Sequence, residues 1–158
     1  MEVRTDAARR QVDQTITSGG RPVLLATMGA PFDDDAVRFA VDTAVEAGQP
    51  LLVVNVTRLE PLSLSVRLGY DALEELTPEV SASVRRCVEL AVSLGVRVER
   101  LRVRSPRPLK ALLELVAERR PGILVFGPDR GSIGRRVHRR AVELLTERAP
   151  CLVWVAPE

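Results

Sequence analysis

Apolar residues along the chain gather into five short runs, separated by longer stretches in which they recur every three or four positions. The runs are 22–27 (PVLLAT), 51–56 (LLVVNV), 96–103 (VRVERLRV, carrying Val96, Val98, Leu101 and Val103), 122–126 (GILVF) and 151–155 (CLVWV). Each has the length of a strand, and runs this apolar suit a sheet covered on both faces. The intervening stretches predict four amphipathic helices. The first spans 33–47 through Val37, Ala40, Val41, Ala44 and Val45, with Asp33 to Asp35 at its start and Gly48 at its end. The second, 78–94, uses Val80, Val84, Cys87, Val88, Ala91 and Leu94 and is closed by Gly95. A third, 108–119, uses Leu109, Leu112, Leu113 and Val116 behind Ser105 as its cap, and a fourth covers about 137–148 through Ala141, Leu144 and Leu145. Carboxylates at helix starts and glycines just past helix ends are the expected punctuation.

Strand alternating with helix throughout predicts an α/β fold, a three-layer sandwich around a doubly wound parallel sheet. Residues 1–20 are polar and end in TSGG, which reads as a flexible arm ahead of a single domain over 21–158. The segment 57–76 is longer than an ordinary connection and is expected to be a surface excursion covering one rim. Ligands of such sheets bind beyond the carboxyl ends of the strands, where the winding reverses. Two stretches therefore matter most: TMGAPFDDD after the first strand and GPDRGSIGRR after the fourth.

Composition adds bounds. With 158 residues and 46% apolar content the chain is long enough for one real core. No stretch reaches the roughly 18 apolar residues of a membrane span. The N-terminus, with Glu2, Arg4, Asp6 and Arg9, lacks the apolar centre of a signal peptide, so a cytoplasmic location without membrane contact is expected. Cys87 and Cys151 have no CxxC or Cys/His cluster around them, which argues for free thiols rather than a disulfide or a zinc site.

The net charge is only +2, yet of 23 basic residues all but Lys110 are arginine. Anion binding would favour arginine, and a GC-rich genome would give the same bias everywhere, so only local clustering carries weight. Arg135, Arg136, Arg139 and Arg140, with His138, cluster where a helix should begin, a place that disfavours positive charge. A bound anion would relieve that conflict. The alternatives are a solvated face neutralised by Asp129, Glu143 and Glu147, or a surface for a protein or nucleic acid. Nucleic acid is the weakest of these, because none of Phe32, Phe39, Tyr70, Phe126 and Trp154 interleaves with the cluster to offer stacking. The chain's one histidine, His138, and Ser132 sit in a glycine-containing stretch that fixes no geometry. Paired carboxylates and metal-ligand spacings are also missing, so the expectation is no enzyme, no catalytic residue and no metal.

The ordered set of these pieces, from the strand-one turn through GVRVE, LLELVAERRPGILVFG and the glycine loop to ERAPCLVWVAP, resembles the universal stress protein (UspA-domain) family over roughly residues 21–156. The resemblance implies a Rossmann-like five-stranded parallel sheet in the order 3-2-1-4-5, with the switch between strands one and four. Many members of that family bind ATP through three features: an aspartate ending strand one, the backbone of a valine ending strand two, and a GxxGx9G(S/T) loop after strand four. Carried over, the aspartate position holds Met28, followed by Gly29 and Ala30, and Val56 matches the valine. Asp33 to Asp35 lie further on, as helix caps or as displaced ligands. Gly127 fits the first loop glycine, but Arg130 stands at the second and Arg140-Ala141 at the distal Gly-Ser. Counting from Gly131 recovers a GxxG with Gly134, and the distal pair then falls on Leu144-Leu145. Pro128 also removes a backbone donor.

The resemblance therefore implies a branch with a degraded ATP motif. Its nucleotide or anion candidates are Met28, Gly29, Ala30, Val56, Gly127, Gly131, Gly134, Arg135, Arg139 and Arg140. No cofactor is favoured, ATP included; a sensor using arginines in place of the distal Gly-Ser is the alternative. Family members commonly pair their last strand across a two-fold axis, which makes Leu152, Val153, Trp154 and Val155 the candidates for a homodimer interface. The implied role is a non-catalytic stress-response module acting through a protein partner or a weakly held phosphate-bearing ligand.

Overall fold

The computed structural model describes residues 20–59 and 77–157. The N-terminal arm and most of the excursion at 57–76 lie outside the described residues. Five strands, β1 (Val23–Thr27), β2 (Leu51–Arg58), β3 (Val98–Ser105), β4 (Ile123–Phe126) and β5 (Leu152–Val155), form one sheet in the order β3-β2-β1-β4-β5. Every pairing is parallel, and the register sets Val23 opposite both Leu51 and Ile123. Among the described residues four helices connect them: α1 (Asp34–Ala47), α2 (Pro78–Ser93), α3 (Pro108–Arg119) and α4 (Arg135–Arg148).

Burial explains why the central runs are continuous rather than alternating. Every residue of β1, and β2 from Leu51 to Val56, is buried, because successive side chains enter two different cores. On one face Val23, Leu25, Leu51, Val53 and Val125 meet Ala36, Ala40, Val41 and Ala44 of α1 and Val80, Val84, Cys87 and Ala91 of α2. On the other, Leu24, Leu52, Val54, Val56, Leu124 and Phe126 meet Leu112 and Val116 of α3 and Ala141 and Leu145 of α4. The expected three layers and strand order are both present. The outer strands are less covered: β3 alternates half-buried with exposed positions, and Leu152 of β5 is 73% exposed.

Helix punctuation follows the sequence in part. Asp33 caps α1 by accepting the Ala36 amide at 3.1 Å, and Gly48 ends it in the left-handed conformation at φ 63°. Thr77, ahead of Pro78, caps α2 by accepting the Val80 amide at 3.4 Å. Two expectations need correction. Ser105 is the last residue of β3 rather than the cap of α3, and its hydroxyl accepts the Arg107 amide in a local turn. Helix α4 begins at Arg135, two residues before the expected Val137, with Gly134 as its cap and no side chain bonded there. The apolar periodicity starts only at Val137, so the two leading arginines were invisible to it.

Candidate functional site

The switch point of the sheet lies between β1 and β4, and the chain after each strand is tied to the chain after the other. Gly127 donates to the Ala26 carbonyl at 2.9 Å, its own carbonyl accepts from Asp33 at 2.9 Å, and Asp129 donates to Pro31 at 2.7 Å. Phe32 and Pro128 pair as an isolated antiparallel bridge. Pro128 has no N–H, so the first three residues after β4 have no uncommitted amide. Gly127 is a packing glycine: a Cβ there would overlap the Ala36 Cβ and reach 3.3 Å from Leu25 Cδ1. Beyond it, residues Arg130–Ser132 form a single 3-10 turn, in which the Ser132 hydroxyl donates to Asp129 Oδ2 at 2.8 Å. Arg130 donates to the Ala156 carbonyl at 3.2 Å, tying the loop to the chain after β5.

The turn after β1 is closed in a similar way. Thr27, fully buried, donates its hydroxyl to the Ala30 carbonyl at 2.7 Å. The Gly29 amide donates to Asn55 Oδ1 at 2.9 Å, and Gly29 has φ 65°, a conformation that glycine adopts without a Cβ penalty. Asn55 was missed by sequence reasoning. Its signal was there: one amide side chain inside the otherwise apolar LLVVNV run has to find a partner once buried. Its Nδ2 has none among the described residues.

The candidate residues do not gather in one place. Met28, Gly29, Val56 and Arg140 line an open cleft of about 890 Å³ above the carboxyl ends of β1, β2 and β3, together with Val137 and Leu144. Gly131, Arg135 and Arg139 line a different pocket of about 760 Å³, on the far side of α4 beside Val155. Helical geometry divides them, since Val137, Arg140 and Leu144 share one stripe while Arg135 and Arg139 face away from it. Ala30 is buried under the turn and Gly134 is exposed at the helix start. At the aspartate position Met28 presents a thioether, which accepts hydrogen bonds only weakly. Asp33, Asp34, Asp35 and Asp129 lie together in a separate shallow depression, and Asp33 has the capping role.

His138 lies beside Phe126, with ring centroids 5.8 Å apart. Cys87 is buried and its thiol pKa is pushed up to about 11 by desolvation, so it stays a neutral thiol. Burial also raises Cys151, opposed by a backbone hydrogen bond at Leu124 and the charge of Arg21. No group of metal-binding side chains occurs among the described residues.

At the sheet edge, β5 pairs with β4 on one side and with no strand on the other among the described residues. Trp154 does not project freely from this edge: its indole stacks on Phe39 of α1, with centroids 4.2 Å apart and planes 5° from parallel. Leu152 is the exposed apolar residue of the strand.

The model of the universal stress protein family matches residues 20–157, nearly the whole chain. This chain belongs to the universal stress protein family. Solved structures agree on the fold. A universal stress family protein from Burkholderia pseudomallei is 18% identical, with 87% of this chain and 96% of that one covered and a TM-score of 0.62. One from Archaeoglobus fulgidus in complex with dAMP is 20% identical over 85% and 96% of the two chains, at a TM-score of 0.58. One from Arabidopsis thaliana with AMP bound is 17% identical over 85% and 90%, at 0.53. No curated protein resembles the chain closely in sequence. As a universal stress protein it has the expected five-stranded parallel architecture, and no helix among its described residues is long and apolar enough to cross a membrane.

Proposed function

We propose that this universal stress protein is a cytoplasmic, non-enzymatic module of the stress response that works as a homodimer and has lost tight ATP binding. The observation that carries the reading is the commitment of the Gly29 amide and of the amides in the first three residues after β4. A phosphate chain is held by uncommitted backbone N–H groups. Here Gly127, Asp129 and Gly29 each donate within the protein, and Pro128 has nothing to donate. With Met28 in place of a carboxylate, the ribose hydroxyls would lose their acceptor as well. The residues present therefore do not suit a nucleotide held in the manner that the resemblance implies.

The edge of β5 supports the second half of the reading. An apolar edge strand whose outer side meets no strand among the described residues is a template for association, and a two-fold axis would close it on a second copy. Leu152, Val153 and Val155 would line that contact, with Trp154 stiffening the strand from behind.

A second reading keeps nucleotide binding, because relatives are known with AMP and dAMP bound and Arg140 faces the cleft. Calorimetric titration with ATP and ADP, with and without Mg²⁺, separates the two. The proposal expects no micromolar binding. Micromolar binding that Arg140→Ala abolishes and Arg139→Ala spares would establish the sensor instead.

A further inference from the structure

Helix α4 carries most of its charge against its own dipole. Its first turn holds Arg135 and Arg136 and no acid, Arg139 follows one turn on, and Glu143 and Glu147 stand in its second half. A helix dipole favours the opposite order, and α1 and α2 have it, with Asp34, Asp35 and Glu79 in their first turns. Arg148, in the last turn of α4, is the exception. No side chain caps the start of α4, and of its four leading arginines only Arg140 enters the cleft.

The position of the helix gives the others a different neighbour. Helix α4 is the crossover between the parallel strands β4 and β5, so it runs opposite to both. Its Ala141 and Leu145 seat it over Leu124 and Phe126 of β4 and Val153 and Val155 of β5, whereas α3 covers β2 and β3. Among the described residues it is therefore the outermost helix of its layer at the β5 edge. Arg135, Arg139 and Val142 recur at spacings of four and three, which makes them one stripe. With Glu143 and Val155 they line the pocket of about 760 Å³ that flanks this edge, and both arginines and Glu143 are exposed.

A two-fold axis that pairs β5 with its copy stands perpendicular to the sheet and keeps the α3–α4 layers of both copies on the same side. It sets α4 antiparallel to its copy. Neighbouring strands lie about 4.8 Å apart, so two helices each seated over a β4–β5 pair come about 10 Å apart, within packing range. The positive first half of each helix then lies along the half of the other that holds Glu143 and the negative end of the dipole. A charge order that is unfavourable in one copy becomes complementary in two.

We propose that α4 is one half of an isologous contact with a second copy of this chain, in which Arg135 and Arg139 of each copy meet Glu143 of the other, with Val142 at the centre. The proposal rests on the preceding reading of a dimer through β5 and extends that contact from the strand to the helix layer. The arginines then select a second copy as partner, and that copy completes the pocket in place of a small anion.

Sedimentation equilibrium of the full chain tests it. Wild type should be a dimer, and Arg135→Glu/Arg139→Glu and Glu143→Arg should each raise the dissociation constant at least about tenfold, because like charges then face each other. An equimolar mixture of the two variants should recover dimers with one copy of each, identified by native mass spectrometry, since every contact is restored with its signs exchanged. Arg85→Glu/Arg86→Glu, the same change of charge at exposed positions of α2, should leave the constant within about twofold. Both α4 reversals suit its dipole better than wild type does, so thermal melts should show both folded. A wild type that stays monomeric at every concentration overturns the dimer reading as a whole. A dimer that Leu152→Asp dissociates and both reversals leave intact overturns the α4 contact alone and keeps the β5 pairing. Weakening by both reversals without recovery in the mixture overturns the pairing of these arginines with Glu143. Equal weakening by the α2 variant overturns it in favour of a general effect of net charge.

Discussion

Replacing Gly127 by alanine separates a packing glycine from a phosphate-loop glycine. The added Cβ would overlap the Ala36 Cβ in the first turn of α1 and lie 3.3 Å from Leu25 Cδ1, so α1 has to move away from the sheet or β4 has to end differently. Either displacement strains the bridge of Phe32 with Pro128 and the 2.9 Å bond from Asp33 to the Gly127 carbonyl. Overpacking of this kind costs about 1–3 kcal/mol. The reduced freedom of the unfolded chain offsets about 0.4–1 kcal/mol of that. A net loss of about 1–2 kcal/mol remains, or about 2–8 °C in Tm for a chain of this size. Gly131 is the control, because a Cβ there meets only Asp129 Oδ2 at 3.4 Å and its backbone is not left-handed. Gly131→Ala should be neutral or stabilising by up to about 1 kcal/mol. Thermal unfolding followed by circular dichroism compares the two. A Gly127→Ala protein that melts as high as Gly131→Ala would refute the packing role and return Gly127 to the list of residues kept for a ligand.

Further outcomes follow from other features. Leu152→Asp places a charge at the most exposed apolar position of β5 and should halve the mass seen by light scattering while leaving Tm little changed, whereas Trp154→Lys would also break the stack on Phe39. An unchanged assembly state in Leu152→Asp would count against the edge-strand dimer. Arg120 ends α3 in the left-handed conformation at φ 49°, so Arg120→Gly should raise stability by up to about 1 kcal/mol in a urea titration. Cys87, with its thiol raised to about 11 from 9.0, should be alkylated by iodoacetamide at least about tenfold more slowly in the native protein than in the unfolded one. The same shift has a pH signature. Below pH 9.0 the thiol is neutral folded or unfolded, and between 9.0 and about 11 only the unfolded chain releases the proton, so stability falls as pH rises through that window. Cys87→Ala should flatten that part of the stability profile.

Much of the fold was legible because its signals are local. The PVLLAT and LLVVNV runs are buried on both faces, and a central parallel strand leaves no other reading for such residues. Asp33 and Gly48 mark the ends of α1 by chemistry that depends only on neighbours in sequence. The misses arise where that locality fails. Arg135 and Arg136 carry no apolar periodicity, so the start of α4 was placed two residues late. The left-handed Arg120 stands where a glycine would have announced the turn.

The candidate site was legible in its residues and not in their grouping. Arg135, Arg139 and Arg140 form one cluster in sequence, but α4 turns about 100° per residue and sends Arg140 into the cleft and the others to a separate pocket. The stripe of Val137, Arg140 and Leu144 could have been drawn from spacing alone. The bonds that commit the Gly127 and Asp129 amides could not, since they join segments nearly a hundred residues apart in the chain. Asn55 lies between these cases: its burial was evident from the run around it, while its partner at Gly29 depends on the pairing of β1 with β2.

Native mass spectrometry of the freshly purified full chain, sprayed with and without added ATP, tests the central claim most directly. The expected spectrum is that of two chains with no retained nucleotide and no stoichiometric ATP adduct. A dimer or monomer carrying one adenine nucleotide per chain would contradict it.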